Sequence, residues 1–224
     1  MIISQENEFI FIHIQRTAGT SIEKCLCNEM EVKNWQSFIG EPKEVALREP
    51  EEEFEEVYNT ERRSKFEGMK HITARRMKNI VGENVWSSYY TFSFVRNPWD
   101  RILSAYLKRR KVSSNITKRL WPKSKFLFNL AVIVKYGLMS SKTKSQMDYI
   151  TDERGNIIVD YVGRFESLQK DFEKVCSKIG IDADLGTNND STDHSHYREY
   201  YYDKTAELVR NHEFEKGNLL GYKF

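Results

Sequence analysis

Cysteine is scarce in this chain: Cys25, Cys27 and Cys176 are three among 224 residues. The first two stand too close together for a relaxed bridge. An odd total fits neither a disulfide framework nor a metal-ligand array. No secretory leader or Golgi-style anchor precedes the first apolar strand, so a reducing cytoplasm is the expected setting. Long apolar runs are lacking too. The longest, Phe126 to Val134, is interrupted by Asn129 and falls far short of the roughly 20 residues needed to cross a bilayer, so no membrane span is expected. Proline occurs four times. With no Pro/Gly-rich linker and no internal repeat, residues 1–224 read as a single domain, with segments 41–65 and 111–145 as lids or insertions. Negative charge is missing from Arg101 to Met147, where 12 Lys and Arg face no Asp or Glu, although the net charge of the chain is only +2. Glu41 to Glu56 is conversely mostly acidic. That asymmetry suggests an anionic partner for one face.

What is present is enough for a core, with 39% hydrophobic and 13% aromatic residues. Phe9-Ile10-Phe11-Ile12-His13-Ile14 reads as a strand buried on both faces, and Ile22, Cys25, Leu26 and Met30 then mark one side of a helix. Tyr89 to Val95 reads as a second strand. Asn97 would cap its following helix, Pro98 suits the first turn and Asp100 the positive end. Ile157 to Val162 reads as a third strand, followed by a helix carrying Leu168, Phe172, Val175, Cys176 and Ile179. Strands alternating with helices predict an α/β fold, three layers α/β/α around a mainly parallel sheet.

Between the first strand and helix lies Gln15-Arg16-Thr17-Ala18-Gly19-Thr20-Ser21, a basic, hydroxyl-rich turn of the kind that aims N–H groups at an anion. It is not the nucleotide-triphosphate loop G-x-x-x-x-G-K-S/T, since the Gly-Lys pair is missing and Arg16 precedes Gly19. The second strand ends in Arg96, where a magnesium-using enzyme would supply an Asp. An arginine there repels a metal and attracts an anion. Arg96, with Ser104 about two turns into the next helix, can share one phosphate, the arginine through its planar fork; the alternative is that Arg96 pairs with an acid and Ser104 faces the sheet. The sequence therefore offers two phosphate sites and predicts no metal.

These residues resemble the sulfotransferases. Gln15 to Ser21 is similar to their 5′-phosphosulfate loop, P-K-T-x-G-T-S/T. Arg96-Asn97-Pro98-Trp99-Asp100-Arg101-Ile102-Leu103-Ser104-Ala105-Tyr106 matches their 3′-phosphate motif, R-N-P-x-x-R-x-x-S-x-Y. Val162 to Leu168, and the ending from Tyr197-Arg198-Glu199-Tyr200-Tyr201 to Gly221-Tyr222-Lys223-Phe224, resemble the carbohydrate-type (heparan/chondroitin sulfotransferase-like) branch. The resemblance implies a P-loop-nucleotide-hydrolase-like sulfotransferase fold. It also implies a cofactor, 3′-phosphoadenosine 5′-phosphosulfate (PAPS, leaving PAP), whose sulfuryl group passes to an acceptor hydroxyl. Arg16, Thr17, Ala18, Gly19, Thr20 and Ser21 would hold the 5′-phosphosulfate, Arg96 and Ser104 the 3′-phosphate, and Tyr197 and Arg198 would help cover the cofactor. Arg16 stands where the family has Lys, at the oxygen that gathers charge during transfer. It keeps the charge with a larger fork, which leaves open a PAP- or PAPS-binding protein without turnover.

His71 is the expected general base, preceding a helix from Ala74 to Val81 where carbohydrate sulfotransferases place a catalytic histidine. Its ordinary pKa near 6.5 suits the task. His13 reads as a hydrogen-bonded core residue, His194 and His196 as surface residues, and Glu67 has no special claim. The acid-free stretch and the ending favour a glycan or glycolipid acceptor; Trp35, Trp86, Trp99 and Trp121 could include a sugar-stacking surface, although buried core positions explain most tryptophans. Two rivals are weaker. A small-molecule kinase lacks its Gly-Lys pair and acid, and a nucleic-acid module would rest on Lys108-Arg109-Arg110-Lys111 alone.

Overall fold

The computed structural model describes residues 1–30, 43–45, 71–112, 124–139, 143–186, 195–215, 217 and 220–224, with 43–45 and 109–112 as backbone alone. Most of segment 41–65, part of 111–145, and Trp35, Glu67, Trp121 and His194 lie outside the described residues. The chain divides into two compact units, Met1–Val95 with Asp148–Thr187, and Arg96–Met147 with Asn188–Phe224.

The first unit holds the sheet. β1 (Ile2–Ser4) pairs antiparallel with β2 (Phe9–Ile12), and β3 (Lys43–Val45) pairs parallel with β1. β2 pairs parallel with β4 (Tyr90–Val95), and β4 with β5 (Tyr161–Arg164), giving the order β3-β1-β2-β4-β5. The fold is thus α/β, as expected, but the sheet is mixed: the β1–β2 hairpin is antiparallel. β1 escaped the sequence reading because three residues show no periodicity. The third strand also starts later than expected. Asp160 accepts from Thr91 N and Oγ1, each at 2.7 Å, ahead of the ladder, so pairing begins at Tyr161 while Ile157 makes only an isolated bridge to Thr151.

β2 and most of β4 are buried completely, which explains the unbroken apolar run of β2; in β4 the buried Ser93 hydroxyl donates to Ile12 O at 2.7 Å. Phe9, Phe11, Phe92 and Phe94 pack with Ile22, Leu26 and Cys27 of α1 (Gly19–Glu29). Leu168, Phe172, Val175, Cys176 and Ile179 join the same core from the later helix at the positions read from its spacing. Between them α2 (Ala74–Ser88) starts behind Thr73, whose hydroxyl accepts from Arg76 N, and is broken at Gly82, φ 83°. The first helical stretch therefore stops where the sequence predicted, at Val81. Gly163 is required by packing: a Cβ there would meet Phe94 Cε1 at 2.4 Å.

The second unit is helical. In α3 (Pro98–Val112) Asn97 Oδ1 accepts from Trp99 N and Asp100 N, the predicted cap. α4 (Lys125–Val132) runs into a π turn (Ile133–Leu138). The short α5 (Met147–Ile150) and α6 (Leu168–Ile179) fall next in the chain, and α7 (Asp203–Glu213) closes it. Trp99, Ile102, Leu103, Phe128, Val132, Tyr136, Tyr201 and Val209 form the core of the second unit. Trp99 is 1% exposed and its Nε1 donates to Ala206 O at 2.9 Å. Trp86 is also buried, so both take the core positions that the sequence reading assigned to most tryptophans, and neither ring is available to stack on a sugar. Asn129, the polar break in the longest apolar run, donates to Tyr200 O at 2.7 Å and accepts from Tyr202 N at 3.0 Å.

Candidate functional site

In the first unit the chain leaves β2 through a strained turn. Arg16 and Ala18 take φ of 69° and 64°, a left-handed conformation that costs a residue with a Cβ about 1–2 kcal/mol and that concentrates at functional sites. Thr17 is buried, and its hydroxyl donates to Ile14 O at 2.9 Å. Its proton is thereby committed inward, so Thr17 braces the turn. Ala18 is the N-cap of α1, and its carbonyl accepts from Ser21 N and Ile22 N at 2.9 and 3.1 Å. Neither a capping side chain nor an acid in the first turn answers the positive end of this helix. Arg16 is half-buried beside it, and Thr20 and Ser21 are exposed. The loop from Arg16 to Ser21 is therefore held together by backbone more than by side chains.

Behind the loop lies a histidine–glutamate cluster. His13 Nδ1 donates to Glu23 Oε1 at 2.8 Å, and the α-ammonium of Met1 also pairs with Glu23. Both side chains are nearly inaccessible. Burial lowers the His13 pKa to about 4, against the opposing pull of Glu23. Burial raises Glu23, but the His13 hydrogen bond and neighbouring positive charge outweigh it and hold the carboxyl down at about 2. His13 is thus the neutral core histidine that the sequence suggested. Its ring presses on Gly19, where a Cβ would lie 2.1 Å from His13 Cδ2; only glycine lets the helix start this close.

His71 belongs to this cluster. Its Nδ1 lies 3.0 Å from His13 O, and the two rings meet edge-on at 4.6 Å. A carbonyl only accepts, so Nδ1 carries the proton, and whenever the ring is neutral its lone pair lies on Nε2. His71 is half-buried just ahead of α2. The structure thus brings the predicted base to the residue that packs against the start of α1.

In the second unit Arg96 follows β4 directly in the chain and is 1% exposed. Gln146 clamps its backbone, accepting from Arg96 N at 2.9 Å and donating to Arg96 O at 2.8 Å. Arg96 Nε donates to Asp100 Oδ2 at 2.7 Å. This ion pair holds the guanidinium through Nε and so orients its fork. Ser104 is buried on α3, and Arg101 Nη2 donates to Glu213 Oε1 at 2.7 Å, with Glu213 Oε2 accepting from Gln146 N. Tyr197 reaches the same motif, its hydroxyl accepting from Asn97 Nδ2 at 3.2 Å, whereas the exposed Arg198 stacks on Phe224 at 5.6 Å. His196 is exposed, with Nδ1 accepting from Arg198 N. Sequence reasoning missed Glu23, Gln146 and Glu213, because a partner 10 to 112 residues away leaves no local signal. That Arg96 pairs with an acid was the alternative carried by the sequence, and the structure contains that pair; Asp100 was legible as a helix-start acid but not as the acid concerned.

An α/β sheet thus feeds a strained, basic, uncapped helix start. The sequence profile of the sulfotransferase family matches residues 1–216, and the chain belongs to that family. It is also similar to an uncharacterized protein of Archaeoglobus fulgidus, 30% identical over 131 residues that span 57% of this chain and 98% of that protein. No solved structure matches it significantly.

Proposed function

We propose that this sulfotransferase-family protein moves a sulfuryl group from PAPS to an acceptor hydroxyl on a glycan or glycolipid, as in the carbohydrate-type branch, on a three-layer, P-loop-like scaffold. The observation that carries the proposal is the cluster of Arg16 to Ser21, Gly19, His13 and His71. It joins a strained anion loop to a histidine whose proton is fixed on Nδ1. The donor set fits PAPS, with an uncapped helix start for one anionic group and a buried guanidinium, oriented by Asp100, for another. PAPS, when bound, supplies the sulfuryl group and a leaving phosphate. Arg16 and the N–H groups at the start of α1 would hold the 5′ end, and Arg96 and Ser104 the 3′-phosphate. His71 Nε2 takes the proton of the attacking hydroxyl, while His13 O keeps Nδ1 protonated. Arg16, charged at any working pH, balances negative charge near the loop.

A thermal-shift panel tests the binding half: PAP should raise the melting temperature, and ATP with magnesium should not. A sulfate-transfer screen over glycans and glycolipids tests the rest. A shift with ATP–magnesium and none with PAP would favour the kinase reading. PAP binding with no transfer to any hydroxyl would leave a binding protein.

A further inference from the structure

The helix formed by α4 and its π turn is apolar on two opposite sides. Phe128, Val132 and Tyr136 face inward to the core of the second unit. Phe126 is nevertheless 64% exposed, Leu130 46%, Ile133 42%, Val134 42% and Leu138 80%. At ~100° per residue Phe126, Leu130 and Ile133 share one face. The wider π turn, with Met139 N donating to Val134 O at 3.0 Å, brings Leu138 back onto that stripe. A surface helix ordinarily turns polar residues outward, and one that is apolar all round is expected in a core or a lipid phase.

Charge narrows the choice of occupant. The stripe lies within Arg101 to Met147, which holds 12 Lys and Arg and no acid. Lys125 directly precedes it, with its ammonium 5.0 Å over the ring of Tyr202, itself 45% exposed, and Lys135 follows Val134 with its ammonium 5.1 Å over the Tyr136 ring. Lysines and a tyrosine bordering an exposed apolar face are what a headgroup layer accepts, the ring at the boundary and the cations at the phosphates. Among the described residues no helix is long and apolar enough to cross a membrane. The helix would therefore lie in the plane of the interface.

We infer that the outer face of α4 and its π turn docks on an anionic lipid bilayer surface. The inference is independent of the proposed sulfuryl transfer, since docking needs no cofactor. Flotation of the full chain with vesicles of phosphatidylcholine, alone or mixed with phosphatidylserine, tests it. Binding to the mixed vesicles should exceed binding to the neutral ones and weaken as salt rises. Phe126→Ser with Leu130→Ser should reduce it about 10-fold or more, with circular dichroism and the wild-type response to PAP unchanged. Lys125→Glu with Lys135→Glu should remove much of the phosphatidylserine preference, about fivefold per lysine. Three results would overturn the inference: no flotation with the anionic vesicles, flotation that both double variants retain, or a concentration-dependent dimer dissolved by the serine variant without any vesicle binding.

Discussion

The two regions proposed to hold anions are made from different materials. In the first unit the loop from Arg16 to Ser21 is mostly backbone, held in left-handed conformations, braced by Thr17 and backed by the His13 ring. In the second unit the corresponding features are side chains: Arg96 held through Nε by Asp100 and through its backbone by Gln146, with Arg101 held by Glu213. A backbone site stores its organisation as strain, so it answers to changes in shape. A side-chain site stores it as ion pairs, so it answers to changes in charge.

Breaking each region should therefore produce a different deficit. The largest is expected at the histidine. His71→Ala should lower sulfate transfer about 10²–10⁴-fold while PAP still stabilises the protein; equal loss of binding and transfer would mean that His71 is not the base. Next, Arg96→Ala should weaken PAP binding about 10- to 100-fold by calorimetry, the scale of a charge-assisted pair. Third, Gly19→Ala should destabilise the fold by about 1–3 kcal/mol in urea unfolding, because its methyl group overlaps the His13 ring. A neutral result there would remove the case that the loop depends on shape.

Acid should strike the first region gradually. The folded-state pKa of His13 is about 4, below its ordinary 6.5, so the unfolded chain takes up protons first and stability falls as the pH drops between those values. Glu23, held at about 2 against an ordinary 4.5, extends the loss below that window. One group contributes a slope of at most about 1.4 kcal/mol per pH unit. Urea midpoints measured from pH 7 to 4 should decline, and His13→Asn should flatten the decline. The smallest effect is expected from Asp100→Asn, a loss of PAP affinity of a few-fold as the Arg96 fork loses its orienting partner. Tighter binding in that variant would show instead that Asp100 competes with the phosphate.

Much of this was legible in the chain itself. The unbroken apolar run at β2 and the 3–4 spacing of Leu168, Phe172, Val175, Cys176 and Ile179 gave strand and helix, because burial selects those patterns. Asn97-Pro98 gave a helix start, because capping is a local reaction. The shift of the third strand to Tyr161 was not legible, since it depends on Asp160 meeting Thr91 from 69 residues away. Nor was the exposed stripe of α4. In sequence its apolar residues look like any core, and only packing shows that half of them were left outside.

Sequence alone determined the α/β class, the two basic motifs and their order, because backbone propensity and short-range spacing are written residue by residue. Tertiary structure alone decided which groups became partners: His13 with Glu23, His71 with the His13 carbonyl, Arg96 with Asp100 and Gln146. Protonation state, guanidinium orientation and exposure are properties of surroundings, and surroundings exist only once distant segments have folded together.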